Sequence, residues 1–189
     1  MTSPPRKILL AVTGSIAAYR ACDIAYELKR RGHDVTCLLT KEAAHFITPL
    51  SLENFSGHRV YSDLFSESYE RNPIHTVLAQ EADLILIAPA TANLLAKLAV
   101  GLLDDLVTCT LYATTAPILV CPAMNDKMLQ HPVVQANMEK LRSLGYQFVD
   151  PIVGPLVCGA EAEGHLAETT TIVESAERLL KEGAGRVRR

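Results

Sequence analysis

Residues 116–128 read Ala-Pro-Ile-Leu-Val-Cys-Pro-Ala-Met-Asn-Asp-Lys-Met, and the reading of this stretch decides the fold. Its apolar run at 118–121 has the length and β-branched content of a fully buried strand, and Pro122 then removes the next ladder donor. The strand must end there. Side chains just past the carboxyl end of a buried parallel strand stand where open α/β sheets place their ligands, so Ala123, Met124 and Asn125 are the first site candidates. Asn125 is the polar one. An Asn after a strand also caps the turn that follows, and the stretch alone leaves both roles open.

Upstream, 83–88 is a second buried strand, running through Pro89-Ala90-Thr91-Ala92-Asn93 into a small-residue helix from Leu94 to Val100. Small residues there allow close approach of a backbone or a flat ring. The first element, 7–13, is a continuous apolar run that breaks at Gly14-Ser15 and turns into an amphipathic helix ending at Gly32. Gly14 permits a tight turn, and the free N–H groups of the helix start, with the Ser15 hydroxyl, offer a place for a phosphate. A dinucleotide site is disfavoured, because one glycine stands where G-x-G-x-x-G needs three, and Walker A is absent. A mononucleotide site and a plain strand-to-helix connection both remain open. Residues 33–39 form a further strand, and Thr40-Lys41-Glu42 after it opens a helix through Ala43, Ala44, Phe46 and Ile47. Gly14, Thr40, Thr91, Asn93 and Asn125 therefore converge on one sheet edge, which is the strongest functional signal in the chain.

The remaining pattern is less regular. From Pro49 to Asn72 it is mixed, with a short strand candidate at 59–61 and a polar, exposed and mobile stretch at 62–72. Pro73-Ile74-His75 opens a helix and places His75 in its first turn, where the dipole disfavours imidazolium and leaves a base available near neutral pH. A surface histidine is the commoner outcome. Asp104 and Asp105 read as helix-start carboxylates, 132–144 as a helix closed by Gly145, and 146–149 as the last strand. Residues 151–168, rich in Pro and Gly, form a loop or flap with Cys158 in the middle, and 171–182 a final amphipathic helix.

Composition bounds the answer. With 189 residues and 49% apolar content the chain buries one substantial core, and a net charge of -3 gives no electrostatic reason to expect nucleic acid or an anionic membrane. Neither a signal peptide nor an apolar run long enough to span a bilayer is present, so a cytoplasmic location is expected. Five cysteines without a Cys-x-x-Cys pair read as reduced thiols, with Cys22, Cys37 and Cys121 as core filler and no metal site.

Taken together, Gly14-Ser15-Ile16-Ala17-Ala18, His75 in Pro-Ile-His, Ala88-Pro89-Ala90-Thr91-Ala92-Asn93, Pro122-Ala123-Met124-Asn125-x-x-Met128 and Gly154-x-Leu156-x-Cys158-Gly159 resemble the flavin-dependent cysteine decarboxylases, and most closely the phosphopantothenoylcysteine decarboxylases of coenzyme A biosynthesis. The resemblance covers nearly the whole chain. It implies an α/β fold, a single-domain, three-layer, doubly wound parallel sheet of the Rossmann/flavodoxin-like kind with helices on both faces. It further implies a flavin-binding domain at 1–182 with a substrate flap at about 151–168, and a tail at 183–189. FMN would be held by Gly14, Ser15, Ile16, Thr40, Thr91, Ala92, Asn93, Leu94 and Ala123. Asn125, Met124, Met128 and Gly159 would bind the substrate, 4'-phosphopantothenoylcysteine, with His75, Asn125 and Cys158 catalytic. A homotrimer or a tetramer of trimers is implied, with the site at a subunit boundary, as is a phosphopantothenate–cysteine ligase domain or protein as partner.

Three positions depart from the family pattern. Leu129 replaces the usual Trp, His165 in Gly164-His165-Leu166 replaces the usual Arg, and Thr76 replaces an apolar residue after the motif histidine. None removes a proposed catalytic group. The chemistry explains the residue types. Direct loss of CO2 from an N-acylcysteine leaves an unstabilised carbanion, whereas oxidising CH2–SH to a thioaldehyde places C=S where it receives the electrons, and flavin supplies the hydride acceptor. In the family, the histidine helps form the thiolate, the asparagine orients the carboxylate, and the flap cysteine gives the proton when the ene-thiol is reduced back. Two rivals are a peptidyl-cysteine oxidative decarboxylase and a non-catalytic FMN-binding regulatory subunit, with a flavin prenyltransferase more distant. The intact His75, Asn125 and Cys158 disfavour them.

Overall fold

The computed structural model describes residues 5–65, 72–155 and 161–183. The central sheet contains β1 (Lys7–Val12), β2 (Asp34–Leu39), β3 (Leu84–Ala90), β4 (Ile118–Pro122) and β5 (Gln147–Phe148), in the order β2-β1-β3-β4-β5 with every pairing parallel. Their apolar runs are continuous because both faces are covered. Alternate side chains feed two cores. Ile8, Leu10, Val12, Leu84, Leu86 and Leu119 pack beneath α1 (Arg20–Arg30) and α8 (Thr169–Gly183). Leu9, Ala11, Ile85, Ile87 and Val120 pack beneath α3 (Ile74–Glu81), α4 (Ala92–Val100), α5 (Leu106–Ala113) and α7 (Pro132–Ser143). This is the three-layer, doubly wound α/β architecture expected from the sequence. No helix among the described residues is long and apolar enough to cross a membrane.

Helix starts follow their caps. Thr91 accepts from Leu94 N–H to open α4, and Asp105 and Thr108 form a reciprocal capping box on α5, which is the helix-start role expected of Asp105. Cys37 and Cys121 are fully buried, and burial pushes the Cys37 thiol up to about 12, as suits core filler.

Several expectations are corrected. The helix expected from Thr40 to Ile47 is only a 3-10 turn, Ala43–His45, and the regular helix comes later as α2 (Pro49–Ser56), within the stretch read as mixed. Thr48 caps it, Pro49 occupies its first turn and Gly57 closes it at φ 84°. The strand candidate at 59–61 reduces to one bridge between Tyr61 and Leu38. The helix after Gly14-Ser15 begins as a 3-10 turn, Ile16–Tyr19, before α1. Residues 66–71 of the expected mobile stretch, and all of the expected tail except Gly183, lie outside the described residues. The expected flap is a hairpin: β6 (Ile152–Pro155) pairs antiparallel with β7 (Glu161–His165), from Ile152 opposite His165 to Pro155 opposite Glu161. A short helix, α6 (Asp126–Leu129), follows the β4 turn.

Candidate active-site crevice

The order of the strands creates the site. The chain leaves β1 toward β2 on one side and returns to β3 on the other, so the connections diverge at the carboxyl ends of β1 and β3 and leave a crevice between them. Thr13 fixes its floor. Its buried hydroxyl donates to Pro89 O at 2.7 Å and accepts from Thr91 N–H at 3.0 Å, tying the two strand ends together. The crevice has a volume of about 740 Å³, in the range of small-molecule and cofactor sites.

Gly14, Ser15 and Ile16 form one end. The space at Gly14 is set by a neighbour rather than by its turn: a Cβ there would lie 2.5 Å from Glu42 Cβ and 3.1 Å from the Glu42 carbonyl carbon. Ser15 caps the following 3-10 turn through Ala17 N–H at 3.3 Å, and Ile16 stands exposed at the rim. Thr40 is buried behind them, its Oγ1 accepting from Ala43 N–H at 3.2 Å. Thr91, Ala92, Asn93 and Leu94 line the opposite wall at the start of α4, where free N–H groups favour an anionic or hydrogen-bonding ligand. Ala123 is buried at the end of β4 and donates its N–H to Ala90 O at 3.1 Å. All nine residues expected around the cofactor face this one crevice.

Met124, Asn125 and Met128 complete the wall beyond β4. Asn125 fills the capping role, its Oδ1 accepting from Lys127 N–H at 3.0 Å to open α6, and the residue also lines the crevice. β7 crosses directly over this turn, with Met124 N–H donating to Gly164 O at 3.0 Å. Gly164 has φ 144°, and a Cβ on it would run into the Met124 carbonyl oxygen.

His75 stands elsewhere. It lies in the first turn of α3, which packs on α5, and it is not among the residues lining the crevice of its own chain. It is partly buried, and its Nδ1 has no hydrogen-bond partner. Cys158 and Gly159 lie outside the described residues, in the segment joining β6 to β7.

Sequence reasoning passed over several crevice residues. Thr13 ends an apolar run like any strand residue, and Glu42 was read only as part of a helix start. Lys97 was signalled faintly, as the lone charge in the apolar helix α4. In the structure it holds Asp104 at 2.8 Å and Asp105 at 3.0 Å. Burial pulls the Lys97 ammonium down, yet the hydrogen bonds it donates to Asp104 and Asp105, with their negative charges, outweigh this and raise it overall. Its charge is thus neutralised within the crevice wall. Among the described residues, no group of three or more His, Cys, Asp or Glu is gathered as metal ligands would be.

A nucleotide-cofactor-binding α/β protein is what this fold and site define, with strand order β2-β1-β3-β4-β5 opening at the switch point where flavodoxin-like folds seat FMN. The sequence profile of the flavoprotein family matches residues 1–181, and the chain belongs to that family. It is 42% identical over 177 residues to a probable phosphopantothenoylcysteine decarboxylase of Streptococcus mutans, covering 93% of this chain and 99% of that protein. It is 43% identical to the coenzyme A biosynthesis bifunctional protein CoaBC of Bacillus subtilis over 94% of its length, but spans only 44% of that relative. Among solved structures, a cysteine-to-serine variant of PPC decarboxylase in complex with pantothenoylaminoethenethiol superposes with a TM-score of 0.84 at 32% identity, over 94% of this chain and 99% of that one. The FMN-dependent cysteine decarboxylase SpaF superposes at 0.83 with 30% identity, over 95% and 98%.

Proposed function

We propose that this chain is an FMN-dependent phosphopantothenoylcysteine decarboxylase, converting 4'-phospho-N-pantothenoylcysteine to 4'-phosphopantetheine. The observation that carries the reading is the union of two features in one crevice: the loops of the β1/β3 switch point and, over them, the Met124–Asn125 turn capped by the hairpin. The residues fit a flavin. Gly14 leaves no room for a side chain against Glu42, the α4 N-terminus and Ser15 offer donors to a phosphate, and the small Ala92 and Ala123 admit a flat ring. When bound, flavin supplies a reversible acceptor for the hydride leaving the substrate's CH2–S carbon.

The protein groups do the rest. His75 takes the thiol proton, so that loss of the hydride yields the C=S bond beside the carboxyl-bearing carbon. Asn125 holds the carboxylate, and Met124 and Met128 flank the cysteinyl portion. Loss of CO2 then places the electrons on sulfur and leaves an ene-thiol. Cys158, carried with Gly159 between β6 and β7, gives the proton when hydride returns, closing the cycle with no net redox change. The ene-thiol named for the cysteine-to-serine PPC decarboxylase complex supports this role for Cys158. The family resemblance implies a homotrimer or a tetramer of trimers with the site at a subunit boundary, and the place of His75 outside its own crevice supports its serving the site of a neighbouring copy. The partner that supplies substrate is a phosphopantothenate–cysteine ligase, as a further domain or a separate protein.

The test is to purify the protein, record its visible spectrum, identify the released cofactor by mass, and offer two substrates: 4'-phosphopantothenoylcysteine and a peptide ending in cysteine. Yellow protein, released FMN, and CO2 with 4'-phosphopantetheine from the first substrate are expected. Colourless protein that takes up no FMN overturns the reading, and turnover of the peptide alone transfers it to the peptidyl-cysteine class.

A further inference from the structure

His165 is held in an unusual place. Just before it, Gly164 O accepts from Met124 N–H at 3.0 Å, and just after it, Leu166 O accepts from Arg20 Nη1 at 2.9 Å. Arg20 also grips Glu168 at 3.1 Å, so β7 is pinned on both sides of this residue. Between the pins, His165 lines the crevice. Its ring is seated on Gly154, where a Cβ would lie 3.0 Å from His165 Cγ and 3.2 Å from Nδ1. Nδ1 is buried and has no hydrogen-bond partner. With no acceptor beside Nδ1, the tautomer carrying its proton on Nε2 avoids burying an unsatisfied N–H, and Nε2 becomes the donor.

Asn125 stands one residue beyond the other end of the Met124–Gly164 hydrogen bond. Its Oδ1 is occupied by Lys127 N–H, which leaves the two N–H groups of Nδ2 free. Two donors thus stand on the same wall, one beside each end of a single backbone hydrogen bond. We infer that His165 Nε2 and Asn125 Nδ2 together form a two-donor clip for the substrate carboxylate, an inference that rests on the decarboxylase reading above. A carboxylate has two oxygens, and one donor leaves it free to rotate. Decarboxylation needs the breaking C–C bond aligned with the C=S π system, and two donors anchor the carboxylate at the end of that bond and so hold its direction.

The test uses a matched pair of ligands with hydroxyl in place of thiol, so that neither is oxidised: 4'-phospho-N-pantothenoylserine and 4'-phospho-N-pantothenoylethanolamine. They differ only in the carboxylate. Both are titrated into the flavin-loaded wild type, His165→Leu, His165→Gln and Gly154→Ala, with calorimetry reading affinity and the flavin spectrum reporting an intact site. Wild type should prefer the serine ligand. His165→Leu should lose about tenfold or more of that preference, the worth of one hydrogen bond to a charged group, while its affinity for the ethanolamine ligand stays unchanged. His165→Gln, retaining a donor, should keep part of it, and Gly154→Ala should erode it by displacing the ring. Full preference in His165→Leu with flavin in place overturns the clip but not the decarboxylase reading. Wild type that binds neither ligand and releases no CO2 from 4'-phosphopantothenoylcysteine overturns both.

Discussion

Replacing Gly14 by alanine tests whether the crevice holds flavin in the way its shape implies. The backbone at Gly14 is not in the left-handed region, so alanine adds no backbone strain and the effect is purely one of space. Its Cβ would meet Glu42 Cβ at 2.5 Å, with the Glu42 carbonyl carbon at 3.1 Å and oxygen at 3.3 Å. Carbon atoms rest at about 3.5–4.0 Å, so the β1 and β2 loops must separate by about 1 Å. A side chain could swing away, but two of these three atoms are backbone. Overpacking of this kind costs about 1–3 kcal/mol, and if flavin binding needs the loops at the spacing seen with glycine, flavin affinity falls by about 5- to 150-fold. The assay is titration of apoprotein with FMN followed by fluorescence quenching, with the melting temperature of the apoprotein measured alongside. Since the worst contact is with a Cβ, Gly14→Ala combined with Glu42→Gly should recover part of the loss. Wild-type FMN affinity in Gly14→Ala would refute the geometry, and failure of the double variant to recover anything would refute the named contact.

His75→Asn should abolish CO2 release, at a cost of about 10²–10⁴ in rate, while flavin stays bound, because His75 is not among the residues that line the crevice; turnover near wild type returns His75 to a surface role. Cys158→Ser should release CO2 once per site under anaerobic conditions and stop with bleached flavin and a product two hydrogens lighter than 4'-phosphopantetheine, since a serine hydroxyl is a far weaker acid than a thiol near pKa ~8.5; normal product would leave Cys158 without a proton to give. Hydrogen bonds from Arg30, then Arg31, hold the Glu27 carboxyl down from 4.5 to about 2. The stability this contributes is present above pH 4.5 and lost as the pH falls through about 2, so Glu27→Gln should flatten the unfolding free energy across that window, and an unchanged acid limb in denaturant titrations counts against it.

The strands were legible because each is buried on both faces and therefore reads as an unbroken apolar run, as in β3, where all seven residues from Leu84 to Ala90 are buried. The loops that line the crevice were legible because they directly follow those strands. Helix α2 escaped because only Leu52 and Ser56 of it are buried, leaving a weak periodic signal; Thr48-Pro49 and Gly57 were the cues available. The hairpin escaped because its strands carry Gly, Pro and Glu rather than alternating β-branched residues. The contacts of Lys97 and His165 were illegible for another reason. Their surroundings are made by residues on a neighbouring element, Asp104 and Asp105 before α5 for the lysine, Gly154 on β6 for the histidine, and no periodic pattern encodes such a meeting. The first-turn position of His75 was correct, but its distance from its own crevice depends on how α3 packs against α5.

The hairpin pairs with no strand of the main sheet and is anchored at its base through Met124 and Arg20. Such an attachment makes it an exchangeable part. Insertions, deletions or wholesale replacement between β6 and β7 leave the strand order, both cores and the flavin loops as they are, so long as Gly164 still crosses the Asn125 turn and Leu166 still meets Arg20. Substrate choice can therefore be altered there at the cost of a few residues, provided the exchanged segment keeps a cysteine in the place of Cys158. For the engineer, the same two anchors mark where a hairpin from a cysteine decarboxylase of different substrate range should be joined.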